Sequence, residues 1–324
     1  MATMKGKWTK IASSSSIQRS SQVLSVVNNN LDNNALIFGG ELKPRQPVDD
    51  KCDVPPARVG SASATIGDTL YLFSGRGGPS MKPLDEAGSL WALSLNSTPK
   101  YNGGSLKCAW PDPRSYHAMT SDGQGTIYLH AGCPSVGRLT DLWAFQLHAR
   151  RWIRLADAPS PARGGTSITF AHKLGETCGK LYRMNGFDGK NEQGGAIDVY
   201  DLEMDYWSSI KFKADGIEGP EPRSVGCLLH IIIAGRECLV TFGGERDPSS
   251  LGHEGAGKML GDAWVWDLVA GGWSRVEVEG EEPCARGWFA ADAVRRADGT
   301  DGIVVHGGLD EQNQRMGDVW VLTL

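Results

Sequence analysis

The stretch Val240-Thr241-Phe242-Gly243-Gly244 is a short apolar run that stops at a glycine pair. Arg223 stands upstream of it, directly after Pro222, and downstream come Asp262-Ala263-Trp264-Val265-Trp266-Asp267 and then Trp273. These apolar segments are a few residues long and are punctuated by Gly, Asp and Pro, which is the length and spacing of β-strands and not of helices. The same order recurs along the chain. Glycine-terminated runs also end at Gly40, Gly75, Gly132, Gly186 and Gly308. Segments related to the Asp262 element are Leu90-Trp91-Ala92-Leu93, Asp141-Leu142-Trp143-Ala144-Phe145, Asp198-Val199-Tyr200-Asp201-Leu202 and Asp318-Val319-Trp320-Val321-Leu322. Trp152 and Trp207 repeat the position of Trp273, and Arg19, Arg58, Arg114, Arg163 and Arg286 repeat that of Arg223.

Six copies, each with about four short strands at roughly 35–65 residue spacing, form the pattern of a six-bladed kelch β-propeller occupying residues 1–324. A four-stranded blade is apolar on both faces, so blades must stack in a ring to bury both. Closure is also legible. The chain ends just after the third strand of the last blade, and Lys7-Trp8-Thr9-Lys10-Ile11 is the expected fourth strand. The first blade is short: between Gly40 and Arg58 lie residues 41–57, with no aromatic residue among them. Its outer two strands are expected to be missing, leaving an edge that a partner or a second copy would cover as a homodimer.

Composition narrows the function. The chain has 324 residues, 40% of them hydrophobic, and a net charge of -5 from 33 basic and 38 acidic residues. A mildly acidic protein is not drawn to nucleic acid or to an anionic membrane surface. No apolar run reaches the roughly 18 residues of a membrane span, and the start of the chain has no signal-peptide core. Seven Cys without a CxxC pair do not read as a disulfide framework. These features point to a cytoplasmic protein.

In an antiparallel meander the loop after strand two and the start of strand one share a face. The post-glycine residues Glu41, Arg76, Phe187, Glu245 and Leu309 therefore converge with the arginines, and a ring of guanidinium groups suits a small anion. Arg58, Arg114, Arg223 and Arg286 are expected substrate contacts on that reading, unless they bond blade carbonyls instead. Tyr116, two residues after Arg114, is expected to face the channel. The loop from Gly243 to Lys258 collects Glu245, Asp247, His253 and Glu254 in one irregular segment; Glu plus His, with water or substrate completing the shell, suits a borderline metal such as Fe(II), unless the loop is a solvated one whose charges bind nothing. Gly252 to Lys258 nearly matches a P-loop, but Met259 occupies the hydroxyl position and no helix is expected to follow.

Gly39-Gly40-Glu41-Leu42-Lys43-Pro44-Arg45, Arg114-Ser115-Tyr116-His117-Ala118-Met119, Arg163-Gly164-Gly165 and Arg286-Gly287-Trp288 carry a more specific resemblance. Together with the Glu245 loop they make the chain similar to the plant specifier proteins, kelch proteins that act on glucosinolate aglucones. The resemblance implies an Fe(II) loop in which Glu245 and His253 match two ligands, while Ser249 replaces the family's Asp and should weaken the metal. It also implies that Arg76 and Arg163 hold the anionic substrate and that Trp288 lines the pocket. The implied chemistry is a non-redox lyase reaction, with loss of sulfate and sulfur to a nitrile in place of rearrangement. Two alternatives stand beside it. One is a metal-independent lyase, isomerase or cyclase of secondary metabolism acting on a small anionic or polar compound. The other is a non-catalytic interaction module.

Overall fold

The computed structural model describes residues 3–29, 32–48, 55–94, 97–102, 109–172, 178–251, 255–295 and 301–324. Blade 3 shows how the repeat folds. Its strands Ala118–Ser121, Thr126–His130, Leu142–Gln146 and Arg151–Leu155 pair as an antiparallel meander. Alternation along each strand sends Ile127, Leu129, Trp143 and Phe145 toward blade 2, where they pack with Ala64 and Phe73. The intervening Tyr128, Leu142 and Ala144 pack with Ile168, Leu181 and Tyr200 of blade 4. The outer tryptophans pin neighbouring blades together: Trp152 donates through Nε1 to the Gly88 carbonyl of blade 2 (2.6 Å), and Trp207 donates to Ala156 of blade 3 (2.9 Å).

Blades 2, 4 and 5 repeat this plan, with inner strands Ala62–Ile66, Ser167–Ala171 and Cys227–Ile233. With Val23–Asn29 of blade 1, Ala118–Ser121 of blade 3 and Ala290–Arg295 of blade 6, six inner strands touch their neighbours in a closed ring. A cycle of main-chain hydrogen bonds runs around the channel one layer above them. The N–H of Gly60 donates to Ser21, Tyr116 to Gly60, Gly165 to Tyr116, Val225 to Gly165, Trp288 to Val225 and Ser21 to Trp288, all at 2.7–3.0 Å. Every member lies two residues after a repeat arginine and every one has positive φ, from 48° to 63°. The glycine after strand two is required for a related reason: at Gly244 (φ 108°) a Cβ would stand 2.7 Å from the Ser224 carbonyl.

The expected closure is observed. Met4–Ser13 pairs antiparallel with Asp318–Thr323, so Trp8 stands opposite Leu322 as the outer strand of blade 6. The first residues of that strand also pair parallel with Trp273–Val278 of blade 5, Met4 opposite Val276, which fuses two blades into one eight-stranded sheet. Blade 1 is reduced: its sheet holds two strands among the described residues, Val23–Asn29 and Asp32–Phe38. The chain that follows forms a small hairpin of Glu41–Lys43 and Gln46–Pro47.

Candidate functional site

Each post-glycine residue bridges to the residue after a repeat arginine, which draws six positions into a collar at one end of the channel. The bridges are Glu41 to Ser20, Arg76 to Val59, Cys133 to Ser115, Phe187 to Gly164, Glu245 to Ser224 and Leu309 to Gly287. Inside this collar Tyr116 and Trp288 meet edge to face, with centroids 5.3 Å apart and planes at 85°. They separate the mouth into two lobes. The first, about 210 Å3, is lined by Glu41, Arg45, Arg76, Lys82 and Arg315. The second, about 120 Å3, is lined by Cys133, Arg138, Phe187, Glu192, Glu245 and Ser249. A narrower space with Gly60, His117 and Phe289 continues beneath them.

The repeat arginines do not face this mouth, which corrects the expectation for Arg58, Arg114, Arg223 and Arg286. All four are at most 1% exposed. In each, Nη1 donates to the carbonyl just before the second glycine-pair position of its own blade: Ser74, Ala131, Gly243 and Gly307 at 2.9–3.1 Å. Nε donates to the carbonyl two residues back. The remaining valence is a two-pronged pair with Glu86, Asp141, Asp262 and Asp318 respectively. A planar fork with donors on two sides can tie strand two and strand three to the start of its blade, and that is how it is used. Arg163 is corrected on the same ground. It is buried with Nη1 on the Asn185 carbonyl (3.1 Å) and Nε on that of Pro161 (3.1 Å), and its guanidinium lines neither lobe. Its carboxylate counterpart Asp198 pairs with Arg183 instead, and burial, helped by the Arg183 charge, lowers Arg163 to about 10.

Arg76, Tyr116, Trp288, Glu245 and Ser249 are brought together at the mouth. Arg76 donates through Nε to the Ser115 hydroxyl (2.6 Å) and reaches two carbonyls at 3.4 Å. Glu245 is 5% exposed; its Oε1 accepts from the Gly257 N–H (2.6 Å), and burial raises its carboxyl above the usual range. Ser249 presents a neutral hydroxyl that already accepts from Leu251 N–H at 3.1 Å. His253 and Glu254 lie outside the described residues. Asp247 is drawn off by Arg246, at 3.3 Å. Among the described residues no three of His, Cys, Asp and Glu converge as a metal site.

Three mouth residues escaped the sequence reading. Arg138 leans over the Phe187 ring at 5.0 Å, with a buried Nε that bonds nothing among the described residues. Cys133 takes blade 3's collar position; burial raises its thiol, while the charges of Arg138 and Arg76 both oppose that rise. Glu192 is pinned to Phe187 by a β-bridge. Burial pushes its carboxyl up to about 8; the Ser224 hydroxyl opposes, Glu245 and Asp188 add to the rise, and Arg138 opposes it. A charged residue interrupting a glycine-rich loop was the available signal for Arg138 and Glu192, but nothing in the repeat frame marks which loop residues turn inward.

This ring of blades built on the arginine–glycine repeat defines a kelch protein, and the chain belongs to the kelch-repeat family: residues 45–244 match the KLHDC2/KLHL20/DRC7 Kelch-repeats domain. Within that family it is specifier-like. It is 26% identical over 363 aligned positions, covering 98% of this chain and 97% of the other, to a Thlaspi arvense protein named N-(sulfonatooxy)prop-2-enimidothioate sulfolyase. It is also 25% identical over 252 positions to Kelch domain-containing protein 3 of Bos taurus, covering 72% of this chain and 57% of that one. The solved structure of YjhT shares the fold, with a TM-score of 0.66 at 13% identity over 97% of each chain.

Proposed function

We propose that the protein is a non-redox lyase of small-molecule metabolism whose mouth takes a small anionic, sulfur-containing substrate such as a glucosinolate aglucone. The observation that carries this reading is a pair of guanidinium groups at the mouth, Arg76 lining one lobe and Arg138 the other, with Tyr116 and Trp288 shared between the two lobes. Two guanidinium groups can grip a sulfate ester and stabilise the charge that gathers on it as the N–O bond breaks and the electron pair departs with sulfate. The rings of Tyr116 and Trp288 would hold the organic part and close the channel beneath it to water. End-to-end similarity to a sulfolyase supports this chemistry over the other classes open to the fold.

Fe(II) is the metal that the resemblance implies. Of its three ligand positions, Glu245 supplies an anionic donor and Ser249 a neutral, already bonded hydroxyl, while His253 is outside the described residues. The described donor set does not by itself fit the metal, so the reaction is derived from the arginines alone. A second reading, a protein-interaction module, is favoured by one observation: Asp32–Phe38 of the reduced blade 1 pairs with a strand on only one side among the described residues. Calorimetric titration with propyl sulfate separates the two. The enzyme reading predicts binding that weakens about tenfold or more in Arg76→Gln and in Arg138→Gln, a loss of one charge-assisted contact. Binding unchanged in both variants contradicts it.

A further inference from the structure

The anion accounts for the two arginines but not for Glu192. Buried carboxylates elsewhere in the blades are answered: Asp141 by Arg114, Asp198 by Arg183, Asp262 by Arg223, Asp318 by Arg286 and Glu41 by Arg315. Both carboxyl oxygens of Glu192 are buried, and beyond the Ser224 hydroxyl that bears on them neither has a hydrogen-bond partner among the described residues. Its loop is not loose. Asp188 accepts from the N–H groups of Lys190 (2.7 Å) and Asn191 (2.8 Å) and from the Gln193 side chain (3.0 Å), which fixes the turn that delivers Glu192. A rigid loop thus holds an incompletely satisfied acid in a cavity, an arrangement that costs the empty protein free energy and gains only if something enters.

The walls say what enters. Around Glu192 the second lobe presents Phe187, Val225, Pro248 and Trp288 as its apolar wall, and its other polar side chains include Arg138, Ser224, Glu245 and Ser249. The charged groups that bear on Glu192 are Glu245, Asp188 and Arg138, and the polar one is the Ser224 hydroxyl. In either protonation state the carboxyl wants a donor, and as a neutral acid it also wants an acceptor. A hydroxyl is both. An alkyl group of the same size would leave the buried carboxyl incompletely paired, and a site built to bond a hydroxyl rejects the analogue without one much more strongly than an apolar pocket rejects a missing methylene.

We propose that Glu192 is the specificity-determining residue of the mouth, selecting small anions whose organic chain carries a hydroxyl over their alkyl isosteres. This rests on the anion-binding reading above, and the test keeps the two apart. The full chain and its Glu192→Gln and Glu192→Leu variants are titrated calorimetrically with 3-hydroxypropyl sulfate and with butyl sulfate, which match in chain length and charge. The wild type should bind the hydroxylated ester at least about tenfold more tightly. Gln, which donates and accepts, should keep that preference in reduced form, and Leu should reverse it. Equal binding of both esters by the wild type, or a preference that survives in Glu192→Leu, overturns the role of Glu192 while leaving the anion site standing. If neither ester binds the wild type, the anion site falls, and selection by Glu192 falls with it.

Discussion

Trp8 tests the closure of the ring. It is 4% exposed, lies 4.9 Å from the Phe242 ring, and joins a cluster containing Val265, Val276, Trp320 and Leu322. One side chain therefore contacts both blades that the first strand joins. Burying a Trp withdraws about 200 Å2 from water, worth about 5 kcal/mol at 25 cal/mol per Å2, and Trp→Ala in a core costs about 3–5 kcal/mol. With an unfolding entropy of about 2.1 cal/mol/K per residue, the 324-residue chain should lose about 4–7 °C in thermal midpoint in Trp8→Ala. Differential scanning calorimetry reads this directly, and Lys7→Ala is the control, because Lys7 sits in the same strand with its side chain exposed. A Trp8→Ala shift below about 1 °C, or an equal shift in Lys7→Ala, would refute the claim that the terminal strand holds the ring through its buried face.

Other predictions follow from the division between structural and mouth arginines. Arg114→Met strands the buried Asp141 carboxylate and should cost about 3–5 kcal/mol in urea unfolding, whereas Arg76→Gln should cost under about 1 kcal/mol. Glu192 gives a pH signature. Its folded-state value of about 8 lies above the unfolded value near 4.3, so its contribution to stability is fully present below pH 4 and is lost as pH rises toward 8 and beyond. Glu192→Gln should therefore match the wild type most closely at pH 4 and be more stable at pH 9, by on the order of 5 kcal/mol; a difference independent of pH would contradict this. Anaerobic Fe(II) titration should show Ser249→Asp binding at least about tenfold tighter than the natural protein, since a carboxylate replaces a hydroxyl. Equal affinity would remove Ser249 from any metal site.

The fold was legible because its determinants are local and repeated. Gly244 is forced by the approach of the Ser224 carbonyl, as Gly40, Gly132 and Gly308 are by the carbonyls of Ser20, Ser115 and Gly287, and Trp152 and Trp207 each donate to a neighbouring blade's carbonyl, so these constraints appear as pattern. Closure through Trp8 and the shortened first blade were legible as departures from that period. The site was legible only in part. Glu245 and Arg76 were reached through the glycines that precede them, Tyr116 through Arg114, and Trp288 through the resemblance to the specifier proteins. The repeat arginines were misread as facing a ligand, because an Arg that ties its own blade and one that faces an anion look alike until partners such as Asp141 are placed in space. Arg138 and Glu192 sit in loops of irregular length, where side-chain direction depends on turns such as that of Asp188 and not on period.

The central claim, that the mouth steers the fate of a sulfated substrate, is tested most directly by product partition. N-(sulfonatooxy)prop-2-enimidothioate, freshly released in the presence of the protein, should give less isothiocyanate and more of the elimination product than in buffer, with Fe(II) added and without it. The shift should disappear in Arg138→Ala while the thermal midpoint stays within about 2 °C of the natural protein's, as a surface-site change of under about 1 kcal/mol implies. The same product mixture with and without the protein would contradict the account.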